Sequence, residues 1–163
     1  MTSHMFVCDP DIRESLLIWA EDLLKVRFFS DAQCFGVMHR KGIGAVVVYD
    51  RFSDNDCVLH LASDGTGKWM TKEFLLASMH YPFNQCGLAR ITCMVAEDNK
   101  PSMTFTRTFG KRERKTGKFA GKTGPNKGWF QEGRLRRAGP DGQDLILFGM
   151  LREECPYITP SLV

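Results

Sequence analysis

The segment with the strongest chemical signal is Gly65-Thr66-Gly67-Lys68, which follows an apolar stretch and opens a segment with helical spacing. Glycines allow a backbone to approach a ligand closely, and the free N–H groups at the start of a helix attract anions. Lys68 adds a positive charge suited to a phosphate group. The segment therefore predicts a site for the pyrophosphate of a nucleotide-like cofactor, with a simple turn before a helix as the alternative interpretation.

Three side chains near this segment or at the end of a neighbouring strand are candidates for a general base: His60, Asp64 and Glu97. A histidine gains and loses a proton near neutral pH, and a carboxylate accepts one from a reacting group. Each candidate also has a structural alternative. His60 alternates with apolar residues on a strand, Asp64 precedes a helix that it would cap, and Glu97 ends a strand.

The elements that position these residues follow from hydrophobic periodicity and from turn residues. Asp9-Pro10 is typical of a helix start, and the spacing after it predicts a helix from residue 10 to about 25. Two more helices are predicted over 68–84 and 100–109. Strands are predicted at Cys34–Arg40, Gly42–Asp50, Cys57–Ser63, Ala89–Ala96, Arg134–Ala138 and Asp144–Leu151. This order predicts an α/β chain with a mixed, mostly antiparallel central sheet flanked by helices.

Several motifs occur in the order and spacing of one known superfamily. They are Ala62-Ser63-Asp64-Gly65-Thr66-Gly67 after one strand, Asn99-Lys100-Pro101-Ser102 after the next, and the two tail segments Glu132–Ala138 and Phe148–Glu154. Together they resemble the GNAT superfamily of N-acetyltransferases, with its Gln/Arg-x-x-Gly-x-Gly/Ala pyrophosphate loop and its Asn-x-x-Ala/Ser helix. The resemblance covers nearly the whole chain and is closest to the branch that includes bacteriophage and ribosomal-protein-type acetyltransferases.

The resemblance implies that acetyl-CoA, as cosubstrate, lies in a splay between strands 4 and 5 of the sheet, Cys57–Ser63 and Ala89–Ala96. Backbone N–H groups near Ala62 and Ser63 would polarise the thioester carbonyl, and an acceptor amine would attack it directly after a base removes its proton. The residues expected to contact the cosubstrate are Leu61, Ala62, Ser63, Gly65, Thr66, Gly67, Lys68, Trp69, Asn99 and Ser102.

Two positions depart from the family pattern. Ala62 stands where the loop motif has Gln or Arg, which removes one expected cofactor contact. Thr106 stands where many members place a tyrosine as general acid. A threonine hydroxyl is a poor acid, so the thiolate would leave unaided or through water, and weak or lost catalysis is an open alternative.

The positive charge of the chain is concentrated in one segment. The net charge is +3, yet residues 111–127 carry seven basic side chains, Lys111, Arg112, Arg114, Lys115, Lys118, Lys122 and Lys127, against Glu113 alone. In relatives the preceding helix runs almost directly into the next strand, so residues 110–127 are predicted to be an insertion. It is either a solvated loop or an arm for an acidic partner, namely RNA, DNA, a ribosomal surface or an acidic protein, with Phe119 and Trp129 available to stack on bases.

Length and composition narrow the class of protein. With 163 residues, the chain is expected to form a single GNAT domain over 1–163. No stretch approaches the roughly 18 apolar residues that span a bilayer, and the start carries no secretory pattern. The six cysteines form no C-x-x-C pair, which favours reduced thiols in the cytoplasm over a metal site. If the chain is phage-encoded, this is the host cytoplasm.

The leading functional hypothesis is an N-acetyltransferase that modifies a protein amine. One alternative is a nucleic-acid- or ribosome-binding module on a catalytically weak GNAT scaffold. The other is an acetyltransferase for a small amine such as a polyamine or an aminoglycoside. A homodimer is an open alternative to a monomer.

Overall fold

The computed structural model describes residues 5–7 and 9–158. Its strands are β1 (Met5–Val7), β2 (Gln33–His39), β3 (Gly42–Asp50), β4 (Val58–Ser63), β5 (Arg90–Ala96), β6 (Phe130–Leu135) and β7 (Leu145–Leu151). Its helices are α1 (Pro10–Leu24), α2 (Lys72–His80) and α3 (Lys100–Thr108). The strands form one sheet in the order β1-β2-β3-β4-β5-β7-β6, in which only the β4–β5 pair is parallel. The predicted mixed, mostly antiparallel sheet is confirmed, and β1 is an addition to the predicted elements.

The first helix begins as its sequence indicates. The Asp9 side chain caps it by accepting a hydrogen bond of 2.9 Å from the Asp11 N–H, and Pro10 occupies the first turn. The helix ends at Leu24, and the capping residue Lys25 adopts a left-handed conformation. Leu16 and Ala20 are its buried residues, and they pack on one face of the sheet.

The interior strand β3 separates two apolar layers. Its residues alternate between the faces, so Val46 and Val48 pack beneath α1, while Val47 and Tyr49 belong to the larger core on the other face. That larger core also contains Phe74 of α2 and Met103 of α3. The sheet therefore carries α1 on one side and α2 and α3 on the other.

The second helix starts later than predicted. Residues 68–71 form turns, and α2 begins at Lys72, with the Thr71 hydroxyl accepting a hydrogen bond of 3.1 Å from the Phe74 N–H. At the other end the backbone widens into a π-helical turn, Tyr81–Gln85. The predicted helix began too early because Trp69 has the spacing of an apolar helix residue. Trp69 is buried, but it lies in a turn that precedes α2.

The last hairpin is also displaced from its prediction. Strand β6 is Phe130–Leu135 rather than Arg134–Ala138. The chain turns at Arg137, which adopts a positive φ of 56° and donates its N–H to the Asp144 carboxylate at 2.9 Å. The basic residues that resembled a strand are therefore partly a turn.

Two further findings concern the described residues only. No helix there is long and apolar enough to cross a membrane. Their five cysteines are free thiols, and Cys8 lies outside the described side chains. Burial raises the pKa of the Cys57 thiol to about 12, with the neighbouring Asp56 adding to the effect, so this thiol is a weak nucleophile at neutral pH.

Candidate functional site

The parallel strands β4 and β5 are paired only where they begin. Their ladder consists of one pair, Val58 with Thr92, and the Thr92 N–H donates to the Cys57 carbonyl at 2.9 Å. Both strands continue beyond this point, β4 to Ser63 and β5 to Ala96. The sheet therefore has an unpaired stretch between two interior strands, which we call the fork.

The backbone groups that face the fork can be assigned from the neighbouring ladders. The Asp64 N–H bonds to the Gly44 carbonyl, so in the alternating pattern of an antiparallel pair Ala62 also directs its N–H towards β3. Leu61 and Ser63 then direct their backbone groups towards β5. Among the described residues, none pairs with them across the fork. Unpaired backbone groups in a sheet interior are ready to bind an extended ligand.

This assignment corrects one expectation. The N–H of Ala62, predicted to polarise a thioester, belongs to the β3–β4 ladder, and the Ala62 side chain is buried on the α1 face. The N–H groups of Leu61 and Ser63 are the ones directed into the fork. The sequence pattern indicated β4, but only the ladder shows which of its residues direct their N–H groups towards β3 and which towards β5.

Residues 64–71, which we call the glycine loop, follow β4 and are organised by Asp64. One carboxylate oxygen of Asp64 accepts bonds from the Thr66 N–H at 2.9 Å and the Thr66 hydroxyl at 2.7 Å. The other oxygen lies 2.8 Å from Nε2 of His39, whose Nδ1 accepts from the Lys41 N–H. Burial raises the pKa of Asp64, but these hydrogen bonds lower it by more, so the pKa lies below its ordinary value. Asp64 therefore holds the loop as an ionised carboxylate.

Gly65 and Gly67 have the conformations that the loop requires. Their φ values are +81° and +71°, and an added Cβ at either position would meet nothing within 4 Å. The constraint is therefore the backbone conformation and not a lack of space. Among the described residues, the N–H groups of Gly67 and Trp69 have no protein partner.

The predicted anion site at the helix start is wrong in one respect. The helix begins four residues beyond Lys68, so residues 65–68 present turn N–H groups rather than helix N–H groups. The Thr66 N–H is already bonded to Asp64, and the Trp69 side chain is 7% exposed within the core, packed edge-on against Phe74. An anion at this loop would meet the N–H groups of Gly67 and Trp69 and the exposed side chain of Lys68.

His60 lies on the α1 face of β4 and is held by a buried carboxylate. Its Nε2 is 2.8 Å from an Asp50 oxygen, and Asp50 is 1% exposed. The other Asp50 oxygen accepts from the Phe29 N–H at 3.3 Å, and the Phe28 ring packs 5.0 Å from the imidazole. Because a carboxylate accepts, Nε2 carries a hydrogen, and in the neutral imidazole Nδ1 presents its lone pair. No described residue bonds to Nδ1.

Glu97 is held in an ion pair at the end of β5. Its carboxylate makes two hydrogen bonds to Arg134, at 2.6 and 2.8 Å, and Arg134 also bonds to Asp144 at 2.9 Å. The hydrogen bond to Arg134 lowers the pKa of Glu97. A carboxylate with a lowered pKa and a permanent cationic partner is a weak base, so the geometry disfavours Glu97 for that role.

Two of the predicted site residues, Asn99 and Thr106, have structural positions at α3. Asn99 caps the helix by accepting from the Ser102 N–H at 3.3 Å. Thr106 is 6% exposed on the buried side of α3. Among the described residues, no hydrogen bond or ion pair joins any two of the four predicted catalytic residues, His60, Asp64, Glu97 and Thr106. The structure therefore distributes them over separate positions.

Residues 110–127, which were predicted to be an insertion and are called the insertion below, form an anchored loop whose ends meet. The Gly124 N–H donates to the Gly110 carbonyl at 2.9 Å, and the Lys111 amine donates to the Lys127 carbonyl at 2.7 Å. Phe119 is 4% exposed and packs edge-on against Tyr157 with a centroid distance of 4.8 Å. Closely spaced ends and an internal anchor are features of an Ω-loop, although this segment is longer than most loops of that class.

This anchoring disfavours the alternative in which aromatic residues of this region stack on nucleic-acid bases. Phe119 and Trp129 are each 4% exposed and belong to the main core. Two of the seven basic side chains also have structural roles, since Lys111 packs over the Phe130 ring and Lys127 donates to the Glu153 carbonyl. The segment is therefore neither a freely solvated loop nor an aromatic stacking platform.

Two residues near β4 and the glycine loop were missed by sequence reasoning. His39 orders the glycine loop from the β2–β3 hairpin, and Asp50 orients His60 from the end of β3. The one signal in the sequence was an aspartate at the end of an otherwise apolar strand, Gly42–Asp50. A buried carboxylate has to find a partner, although the sequence does not say which one.

Solved structures share this arrangement of helices and strands. A chimera of the spermidine N-acetyltransferase SpeG from Vibrio cholerae and hSSAT is similar with a TM-score of 0.54 and 15% identity, over 75% of this chain and 66% of that one. Mutant forms of the spermidine/spermine N-acetyltransferase SpeG from Vibrio cholerae give 0.64 and 10%, over 93% and 94%. A structure described as a probable acetyltransferase gives 0.63 and 11%, over 94% and 98%.

The chain therefore has the GNAT fold. No protein-family model matches the sequence, and no curated protein matches it significantly. This chain spans just under two thirds of the SpeG–hSSAT chimera above. At 10–15% identity the likeness establishes the fold alone, and an activity has to be argued from the site.

Proposed function

We propose that this chain is an acyl-CoA N-acyltransferase that moves the acetyl group of acetyl-CoA to an amine. The fork between β4 and β5 carries the proposal, because it leaves the backbone groups of Leu61 and Ser63 unpaired inside the sheet. The amide-containing pantetheine arm of acetyl-CoA is an extended chain with the donors and acceptors that such an edge requires. The GNAT fold and the glycine loop at the end of the same strand support this placement.

In this proposal the coenzyme enters from the face of α2 and α3. Its pyrophosphate lies at the glycine loop, where Gly67 and Trp69 offer N–H groups and Lys68 offers charge. The start of α3, with the Ser102 side chain, lies towards the pantetheine end. The N–H groups of Leu61 and Ser63 polarise the thioester carbonyl and stabilise the negative charge that develops on its oxygen.

The acceptor amine approaches from the opposite face, where His60 lies. Nδ1 of His60 takes a proton as the amine nitrogen forms a bond to the thioester carbon. The carbon–sulfur bond then breaks, CoA leaves as a thiolate that takes a proton from water, and His60 returns its proton to the solvent. Asp50 acts as a positioning residue that keeps the hydrogen on Nε2 and the lone pair on Nδ1.

The class of amine is open between two proposals. A small amine is supported by the spermidine acetyltransferases that share the fold. A protein amine is supported by the insertion, because its positive charge repels a polyamine and attracts an acidic protein surface. The bacteriophage and ribosomal-protein-type branch would favour the protein acceptor.

The test is turnover of labelled acetyl-CoA by the full chain. Purified protein is incubated with the label and, in parallel, with spermidine, an aminoglycoside and peptides with free α- and ε-amines, and acetylated products are identified by mass spectrometry. Transfer to any of these amines supports the proposal, and the preferred amine decides the class. Absence of acetyl-CoA binding by calorimetry would remove the proposal altogether.

The role of His60 has its own test. His60→Gln is expected to lower kcat by about 100-fold or more, since a general base typically contributes 10²–10⁴. The KM for acetyl-CoA should change little, because the imidazole lies on the far face of the sheet. His80→Gln, an exposed histidine on α2, is the matched control. Equal rates in the two variants would reject His60 as the base.

A further inference from the structure

A pocket of about 180 Å³ lies between the beginning of α2, the end of α3 and the insertion. Its apolar walls include Met70, Leu75 and Phe105, and the insertion contributes Arg112 and Arg114. Pockets that enclose a whole drug-sized ligand usually measure roughly 300–1,000 Å³. The volume therefore suits one end of a larger molecule and not the whole of it.

The apolar side of this pocket is aromatic and partly open. Phe105 is 36% exposed and packs edge-on against Phe109 at a centroid distance of 5.7 Å. Phe109 packs in turn against Tyr157 at 5.0 Å. These contacts hold the rings in place while leaving one of them accessible. A flat ring of a ligand would gain contact area here without displacing any core residue.

The two arginines differ from the other arginines near the proposed site. Arg134 and Arg90 are engaged by carboxylates. The guanidinium groups of Arg112 and Arg114, by contrast, are exposed and make no hydrogen bond or ion pair with the described residues. The backbone at Arg114 is fixed, because its N–H donates to the Thr123 hydroxyl at 3.1 Å. Unpaired guanidinium groups on a fixed backbone are suited to forked hydrogen bonds with a phosphate.

The pocket adjoins the glycine loop. Met70, which lines the pocket, donates its N–H to the carbonyl of Gly67 at 3.4 Å. A ligand with its pyrophosphate at Gly67 would therefore have its next chemical group at the mouth of this pocket. In an acyl-CoA that group is a ribose with a 3′-phosphate and an adenine ring.

We infer that the pocket binds the nucleoside 3′-phosphate end of acyl-CoA, with the adenine against Phe105 and the phosphate held by Arg112 and Arg114. This inference rests on the proposed function and extends it. It gives the insertion a purpose, which is to bring two positive charges to the end of the coenzyme. The remaining exposed lysines of the insertion, Lys115, Lys118 and Lys122, do not line the pocket.

The experiment compares two double variants that remove the same charge from the same loop. Arg112→Gln with Arg114→Gln is expected to raise the KM for acetyl-CoA about 10-fold or more, because the variant loses charge-assisted hydrogen bonds to the phosphate. Lys118→Gln with Lys122→Gln should leave that KM within about twofold. Acetyl-dephospho-CoA, which lacks the 3′-phosphate, should be used equally well by wild type and by the arginine variant. The acceptor KM should not change in either variant.

A second readout uses adenosine 3′,5′-bisphosphate as a calorimetric probe, so that the pocket is tested without turnover. Binding to wild type that is lost in the arginine variant supports the pocket even where no acetyl transfer occurs, and in that case only the proposed function fails. The inference is overturned if the arginine variant keeps its acetyl-CoA KM. It is also overturned if acetyl-CoA and acetyl-dephospho-CoA are affected equally, or if only the acceptor KM changes. The inference is likewise overturned if the arginine variant loses binding to RNA but keeps binding to the bisphosphate, because the arginines would then serve another partner.

Discussion

Two glycine-containing segments of this chain, the glycine loop and the insertion, are held in place by different forces. The first part of the glycine loop, residues 64–68, contains no buried side chain, and its shape depends on the hydrogen bonds of one ionised side chain, Asp64, to Thr66 and His39. A buried ring, Trp69, follows only towards the end of the loop. The insertion is more than twice as long and more highly charged. It is fixed chiefly by an aromatic ring, Phe119, that enters the core beside Tyr157.

The difference follows from what each segment has to present. A loop that offers backbone N–H groups to an anion must keep some of them unpaired, so the chain orders it with few side-chain bonds. In a loop that offers side chains, the backbone groups can form hydrogen bonds within the loop, and an apolar side chain can be buried as an anchor. Its charged side chains then extend from a backbone whose position is fixed. Anchoring by burial should therefore be costly to remove, and anchoring by hydrogen bonds less so.

The largest effect is expected from removal of the aromatic anchor. Phe119→Ala should lower the free energy of unfolding by about 3–5 kcal/mol, because it deletes a buried ring and leaves a cavity. The adjacent exposed Lys118→Ala should change it by less than about 0.5 kcal/mol. Urea denaturation measures both. A loss below about 1 kcal/mol in Phe119→Ala would show that burial of this ring does not fix the insertion.

A smaller, pH-dependent effect is expected at Asp64. Asp64→Asn should cost about 1–2 kcal/mol at neutral pH, because the carboxylate accepts three hydrogen bonds. The pKa of Asp64 is lowered in the folded state, so its contribution is complete above the ordinary aspartate pKa of about 3.9 and is lost as pH falls through the lower folded value.

The measurement is the difference in free energy of unfolding between wild type and Asp64→Asn as a function of pH. This difference should be constant near neutrality and shrink only in acid. Asp54→Asn, at an exposed position of another loop, is the control and should show no such dependence. A difference that already fades between pH 7 and 5 would mean that Asp64 is not held ionised as described.

The last effect on stability is expected from the glycine conformations; it should be no larger than that of Asp64→Asn and independent of pH. Gly67→Ala and Gly142→Ala each place a side chain at a positive φ, +71° and +80°, with nothing within 4 Å of the new Cβ. Each should cost about 1–2 kcal/mol of backbone strain. Only Gly67→Ala should also weaken acetyl-CoA binding, as measured by calorimetry, since Gly142 lies in the β6–β7 turn. Equal affinity for acetyl-CoA in the two variants would show that the glycine loop does not bind the coenzyme.

Much of the fold was predictable, because its signals are local. The capping aspartate and proline at α1, the apolar strand β3 and the Asn99 cap of α3 each act within a few residues of where they occur. The start of α2 was not predictable in this way. Trp69 has the spacing of a helical core residue, but tertiary packing places it in a turn.

For the candidate site, the sequence indicated the two strands that flank the fork and the loop that follows β4. It did not indicate which backbone N–H groups are unpaired, since that depends on the ladder between β3 and β4. Nor did it show that Glu97 forms an ion pair with Arg134 or that Phe119 is buried. These outcomes depend on contacts between residues distant in sequence, to which periodicity and capping are insensitive.

The sequence by itself determined the order of the elements, the glycine conformations of the loop and the concentration of charge in the insertion. Only the tertiary structure decided what those features do: His39 orders the glycine loop from 25 residues away, Asp50 orients His60, and the insertion brings two arginines to the pocket beside α3. The physical reason is that a local signal sets the conformation of one segment. The free energy of a polar group depends instead on the partner that the folded chain brings to it.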